Sequence, residues 1–169
     1  IAPQAKAQRV AEKTNLLYWA TTSPNAGIEF SLSRYFTIDI SGSYNPWDFP
    51  GNISLRHWLV QPEIRYWPCF RFTKYFVGLH GIYGKYNISE IPFISEEKEI
   101  SYQGSMFGAG LNFGYHIILN NRWGIELSLG VGYVQLDYDK YQCKGCRENL
   151  GHYKRSYFGP TKIGVSFLY

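Results

Sequence analysis

Cys143 and Cys146, in KYQCKGCREN, put two thiols three positions apart. That spacing suits a disulfide closing a loop in an oxidising compartment. With His152 the pair supplies three metal ligands, one short of a closed tetrahedral set. A thioredoxin-like redox role needs a βαβ setting that the flanking residues do not offer. A Cys143–Cys146 disulfide is therefore the expectation, and Cys69 has no evident partner. The histidines, His57, His80, His116 and His152, each stand more than two positions from any Ser or Cys. No local nucleophile and base pair is readable, so neither a catalytic residue nor a cofactor is expected. What remains is a dispersed ionic set: Lys13, Arg65 and Lys162 with Glu29, Asp39, Glu63 and Glu126. Whether these can meet depends on the elements that carry them.

Those elements alternate with period two. In FTIDISGSY, Phe36, Ile38, Ile40 and Tyr44 oppose Thr37, Asp39, Ser41 and Ser43. HWLVQPEIRYW sets Trp58, Val60, Pro62, Ile64 and Tyr66 against His57, Leu59, Gln61, Glu63 and Arg65. FGAGLNFGYHI and WGIELSLGVGY repeat the scheme, with Phe107, Phe113, Tyr115, Trp123 and Tyr133 opposite Gly, Ser, Asn, Glu126 and His116. Further strands are expected over Lys13–Ala20, Ala26–Leu32, Tyr75–Tyr86 and Tyr157–Tyr169, giving eight strands and no helix. Six of the eight are nine residues or longer, enough to cross a bilayer at a tilt, and the first two are seven or eight. Links alternate long and short: TTSPN, NPWDFPGNISLR, 87–101 and 137–156 against SRY, WPCFRFTK and LNNR. This is the pattern of an up-and-down transmembrane barrel, with long loops at one rim and tight turns at the other.

An eight-stranded interior is only just wide enough for side chains. The small and polar set should therefore face inward and the bulky set outward, with aromatics such as Trp58, Tyr66, Phe167 and Tyr169 at the membrane interfaces. The inward charges, three positive and four negative, then nearly cancel as a plug of salt bridges. His57 and His116 share that parity and read as structural. In the last strand Thr161, Ile163, Val165, Phe167 and Tyr169 are expected outward, and its aromatic end resembles a barrel-insertion signal. Pro62 and Pro160 cannot donate to a ladder, so local bulges are expected there.

Composition agrees with a wall rather than a soluble surface. Charged residues are 18%, below the ordinary ~25%, and aromatics are also 18%. No apolar run reaches the ~20 residues of a spanning helix. The net charge of +4 is scattered, which argues against nucleic-acid binding. Residues 1–12, with the A-x-A of Ala5 to Ala7, read as a signal remnant or periplasmic tail before a barrel over 13–169. In the loops, acidic 90–99 and basic 140–155 could form a contact face, with Trp47, Phe49 and Phe93 as anchors.

The stretches KTNLLYWATTSPNAGIEF, SYNPW, HWLVQPEIRYW, GLHGIYGKYN, GYVQLDYDKYQC and YFGPTKIGVSFLY, taken together, resemble an uncharacterised outer-membrane barrel family of Bacteroidota. Its members are often encoded near fimbrial or cell-surface genes. The resemblance covers nearly all of the chain from Lys13 onward. It implies export to the bacterial outer membrane and a barrel of about eight strands, and it carries over no catalytic residue. The expectation is thus an all-β, eight-stranded antiparallel transmembrane barrel with a plugged polar lumen, periplasmic termini and extracellular long loops. It would contact lipopolysaccharide and phospholipid and serve as an accessory subunit with a protein partner in a surface assembly. The alternative is an outer-membrane lipid-modifying enzyme of acyl hydrolase or transferase type.

Overall fold

The structure, a computed structural model, describes residues 9–49, 53–89, 100–142 and 148–169. Chain order is β1 (Val10–Asn15), α1 (Leu16–Ala20), β2 (Asn25–Ser31), β3 (Phe36–Asn45), β4 (Asp48–Phe49), β5 (Ile53–Tyr66), β6 (Lys74–Ser89), β7 (Ile100–Ile118), β8 (Gly124–Gln142) and β9 (Glu148–Leu168). Eight of these strands form one antiparallel sheet that closes in a ring, β3 pairing with β5 and β9 with β1. The two-residue β4 only clips onto the edge of β5.

The seam between β1 and β9 is short. Lys13, Thr14 and Asn15 meet Leu168, Phe167 and Ser166, and Glu12 exchanges two backbone bonds with Tyr169 at 3.0 and 2.9 Å. Beyond it β1 turns helical, because Leu16 to Trp19 break the alternation and the Asn15 side chain caps Leu17 N–H at 3.1 Å. The same side chain carries the seam one step further. Its Nδ2 donates to Ile163 O at 3.1 Å and its Oδ1 accepts from Val165 N–H at 3.3 Å. The expected strand over Lys13–Ala20 is thus shifted toward the start of the chain, and residues 10–12 belong to the ring rather than to a preceding segment.

Two proline expectations separate here. At Pro160 the register shifts between Gly130 and Val131, leaving Thr161 as the extra residue of a bulge. Thr161 is consequently turned to the interior, against the outward placement expected from parity, and its Oγ1 lies 2.9 Å from His80 Nε2. At Pro62 there is no bulge: Val60 pairs with Tyr83 and Glu63 with His80 in one register, and the ladder to β6 lapses for two residues. Gly81 stands opposite, where a Cβ would lie 3.5 Å from the proline ring.

Short links are held by side-chain acceptors. Asn120 Oδ1 takes the N–H groups of Arg122 and Trp123 at 2.9 and 3.0 Å, and Ser33 Oγ takes that of Phe36 at 3.1 Å. The β5–β6 link contains Phe72 at φ 57, a strained value for a bulky residue. Its buried ring packs 5.9 Å from that of Trp67, which offsets the strain. Strands β6 to β9 run well past the ring toward the opposite end, so the fifth and seventh links are shorter than expected.

Replacing Asn15 with Leu removes two cross-seam bonds and a cap. The expected loss is about 2 kcal/mol, read as a lower urea midpoint of tryptophan emission in detergent. An unchanged midpoint would show that the seam does not depend on this amide.

Candidate functional site

Period two delivers alternate residues of every strand to the interior, and the charges meet there. Arg65 is fully buried and reaches all four carboxylates. Its Nε donates to Glu63 Oε1 at 2.8 Å, Nη1 to Glu29 Oε2 and Glu126 Oε2 at 2.8 Å each, and Nη2 to Asp39 Oδ2 at 3.0 Å. Lys13 Nζ adds Glu29 at 2.5 Å, Asp39 at 3.3 Å and Glu126 at 3.5 Å. Lys162 Nζ approaches Glu63 at 2.7 Å and Asp39 at 3.6 Å. A lysine at position 65 could not span this arrangement, since it lacks the planar fork of five donors.

Neutral groups complete the cluster. Thr37 donates to Glu29, Trp67 Nε1 donates to Thr37 Oγ1 at 2.9 Å, and Asn112 Nδ2 donates to both Glu63 oxygens at 2.9 and 3.1 Å. The Arg65 guanidinium lies 4.1 Å over the Phe76 ring. The space left beside Lys13, Asp39, Arg65 and Glu126 is a cavity of about 30 Å³, large enough to admit water. Room for the Glu63 carboxylate comes from Gly78 on the neighbouring strand, where any Cβ would overlap it.

The interior is not confined to small and polar side chains. Trp67 and Phe76 are buried with Ala11, Phe72 and Leu168 in an apolar layer toward the short turns. Ile82 and Val134 are buried nearer the long-link end. Large rings therefore do fit inside, where glycines on facing strands leave room, as Gly114 does for Phe76. His80 and His116 are both buried, with His116 6.3 Å from the Trp67 ring.

The outer face sorts into bands. Toward the short turns lie Phe36, Tyr66, Tyr75, Tyr115, Trp123, Phe167 and Tyr169, with ring centroids 5.2 Å apart for Phe36–Tyr66, 5.6 Å for Tyr75–Tyr115 and 4.8 Å for Trp123–Tyr169. Toward the other end lie Tyr44, Trp58, Tyr83, Phe107, Tyr133 and Phe158, tied by register pairs Tyr44–Trp58, Tyr83–Phe107 and Tyr133–Phe158. On β3, β5, β6 and β7 the two rows stand eight positions apart, as in Phe36 to Tyr44 and Phe107 to Tyr115. Between them Ile40, Ile64, Leu79, Leu111, Leu129 and Ile163 are exposed, and Phe113 sits among them. Past the upper row the outward positions become Lys85, Asn87, Ser105, Gln103, Asp137 and Asp139.

The chain belongs to the DUF3575 family. Its residues 1–169 match the model described as "Protein of unknown function (DUF3575)". No curated protein and no solved structure matches.

Beyond the interior, the other sequence candidates stay apart. Trp47 is exposed at the end of β3 and its Nε1 donates to Thr22 O at 3.0 Å. Phe49 lies in β4, where its side chain is outside the described residues, as are Phe93, Cys143 and Cys146 and the acidic stretch 90–99. His152 pairs with Asp139 at 2.9 Å on the outer face of the β8–β9 hairpin. Both border a cavity of about 490 Å³ that also takes in Arg56, His57, Lys85 and Gln103. Cys69 is exposed and free. Thr37, Trp67, Phe76, His80 and Asn112 are interior residues that a search for charge overlooks, although each keeps the inward parity of its strand.

Arg65→Met strands four carboxylates in a closed space, and a stability loss of about 3–5 kcal/mol is expected. Lys162→Met should cost less, because Glu63 keeps Arg65 and Asn112. Urea titration of both variants in detergent checks the order; equal losses would contradict the central place given to Arg65.

Proposed function

We propose that the protein is an integral outer-membrane barrel whose lumen is closed by the Arg65-centred plug and which acts as a structural or interaction module, not as a pore. One observation carries this reading: an aliphatic band bounded by two aromatic rows, with polar outward residues beginning just past the upper row. Eight positions of strand are about 27 Å, or roughly 20 Å along the axis at a tilt of ~40°. With the reach of the rings this approaches the ~25 Å apolar belt of outer-membrane barrels. In water the same face would be an apolar patch far beyond what monomeric soluble proteins leave uncovered. In this reading lipopolysaccharide and phospholipid surround the belt, the short turns face the periplasm, and the β6–β7 and β8–β9 hairpins stand outside the cell. Those hairpins and exposed Trp47 are the surfaces offered to a protein partner in a surface assembly.

A lipid-modifying enzyme is the second reading, and the His152–Asp139 pair favours it. An imidazole oriented by a carboxylate, six strand positions past Tyr133 and so about 15 Å beyond the upper aromatic row, is placed for general-base work on the outer part of a lipid headgroup.

Membrane extraction decides the first point. The protein should require detergent, migrate differently on a gel before and after boiling, and pass no ionic current in a planar bilayer. Monodisperse behaviour in plain buffer would contradict the membrane reading, and steady conductance would contradict the plug. For the second reading, labelled lipopolysaccharide should keep its acyl chains. Acyl loss that disappears in His152→Gln would replace the scaffold by an enzyme.

A further inference from the structure

We infer that the rim formed by the short turns is a seat for anionic phospholipid headgroups, one phosphate to each of several cation and ring pairs. This rests on the membrane reading above. Every short turn places a basic residue next to an outward aromatic one: Arg34 and Tyr35 between β2 and β3, Lys74 and Tyr75 at the start of β6, Arg122 and Trp123 between β7 and β8. The three cations are exposed, and among the described residues none of them is in a salt bridge. None of the three short links contains Asp or Glu. At the opposite end carboxylates stand among the basic residues, Lys154 4.0 Å from Asp137 and His152 2.9 Å from Asp139, although among the described residues Lys85 and Arg155 are in no salt bridge there. With no carboxylate in the links themselves, the positive charge of the short-turn rim is left for something outside the chain.

Arg71 has another duty. Its backbone N–H donates to Arg34 O at 2.9 Å, its Nη1 donates to Ser33 O at 3.3 Å, and its guanidinium lies 5.4 Å from the Phe70 ring. It binds two turns into one continuous rim and so fixes the spacing of the exposed cations.

The arrangement chooses the occupant. Arg34, Lys74 and Arg122 sit on separate turns around the ring, so they do not converge on one small anion. They share a depth with Tyr35, Tyr75 and Trp123, rings of the type that settle at headgroup level. An annulus of separated cations at that level fits many phosphates lying in one plane, which is the inner face of a leaflet containing anionic lipid. The rings are held in place, Trp123 against Phe167 and Tyr169 at 5.2 and 4.8 Å and Tyr75 against Tyr115 at 5.6 Å.

Trp123 can report its own lipid neighbours. In a chain with Trp19, Trp47 and Trp58 replaced by Phe, the other tryptophan is Trp67, sealed in the interior. Reconstituted into vesicles of phosphatidylcholine and phosphatidylglycerol in equal parts, with one lipid brominated at a time, Trp123 should be quenched more strongly by the anionic lipid. A relative affinity of about fivefold is expected from one cation per headgroup. It should fall toward one in Arg34→Gln/Lys74→Gln/Arg122→Gln and in about 0.5 M salt, and survive in Arg34→Lys/Arg122→Lys. Equal quenching by the two lipids, or a preference that persists in the Gln variant, overturns the inference and leaves the membrane reading standing. Quenching by neither lipid overturns both.

Discussion

A closed ring of eight strands has almost no room at its centre, and this chain fills that room with charge. The Arg65 guanidinium makes the filling possible. Removing four carboxylates from water is costly unless each keeps a donor, and a single planar cation touching all four does that in the least volume. Lys13 and Lys162 then bring the sum close to neutral, Thr37 and Asn112 donate to Glu29 and Glu63, and Trp67 donates to the Thr37 hydroxyl, while Asp39 Oδ1 is left without a donor among the described residues. The strands around the cluster are shaped to it: Gly78 yields to Glu63, and the bulge at Thr161 turns a hydroxyl toward His80. The interior is a salt cluster with apolar layers above and below it.

The outer face follows from the same alternation. Each strand that sends a carboxylate or ammonium inward sends an isoleucine, leucine or ring outward, so the two faces are fixed together and cannot be changed independently. If that wall stands in hydrocarbon, the usual order of a soluble protein is inverted with no energetic penalty, since the apolar face meets lipid and the ionic face meets itself. Aromatic rows at both margins give the wall a defined height. The polar outward residues of β6 to β8 beyond the upper row give it an end.

Much of this was legible in the residues. Eight strands and the convergence of Lys13, Glu29, Asp39, Glu63, Arg65, Glu126 and Lys162 follow from parity, because inward and outward sets differ so sharply in size and polarity. Strand lengths did not follow. Past Lys85, Ser105 and Asp137 the outward positions turn polar while Tyr86, Tyr102 and Tyr138 hold the other parity, so the outward apolar pattern ends although the backbone ladder continues. The start of the ring is not readable locally, because Leu16 to Trp19 are apolar without period and the shift toward Val10 depends on a pairing with β9 that no local pattern encodes. Trp67 and Phe76 enter the interior against the expectation from size, because glycines on facing strands make the space. Pro62 and Pro160 look alike in sequence; one interrupts a ladder and the other shifts it, a difference set by the partner strand.

The central claim is that the wall between the aromatic rows faces hydrocarbon while the charges stay sealed behind it. Spin labels placed one at a time on β6 at Tyr75, Val77, Leu79, Tyr83 and Lys85, in a chain with its cysteines replaced by serine, test this in lipid vesicles. Oxygen accessibility should peak near Leu79, fall toward both rings, and give way at Lys85 to a water-soluble relaxant. Labels at Leu79 and Val77 that meet the water-soluble reagent as freely as Lys85 does would contradict the account.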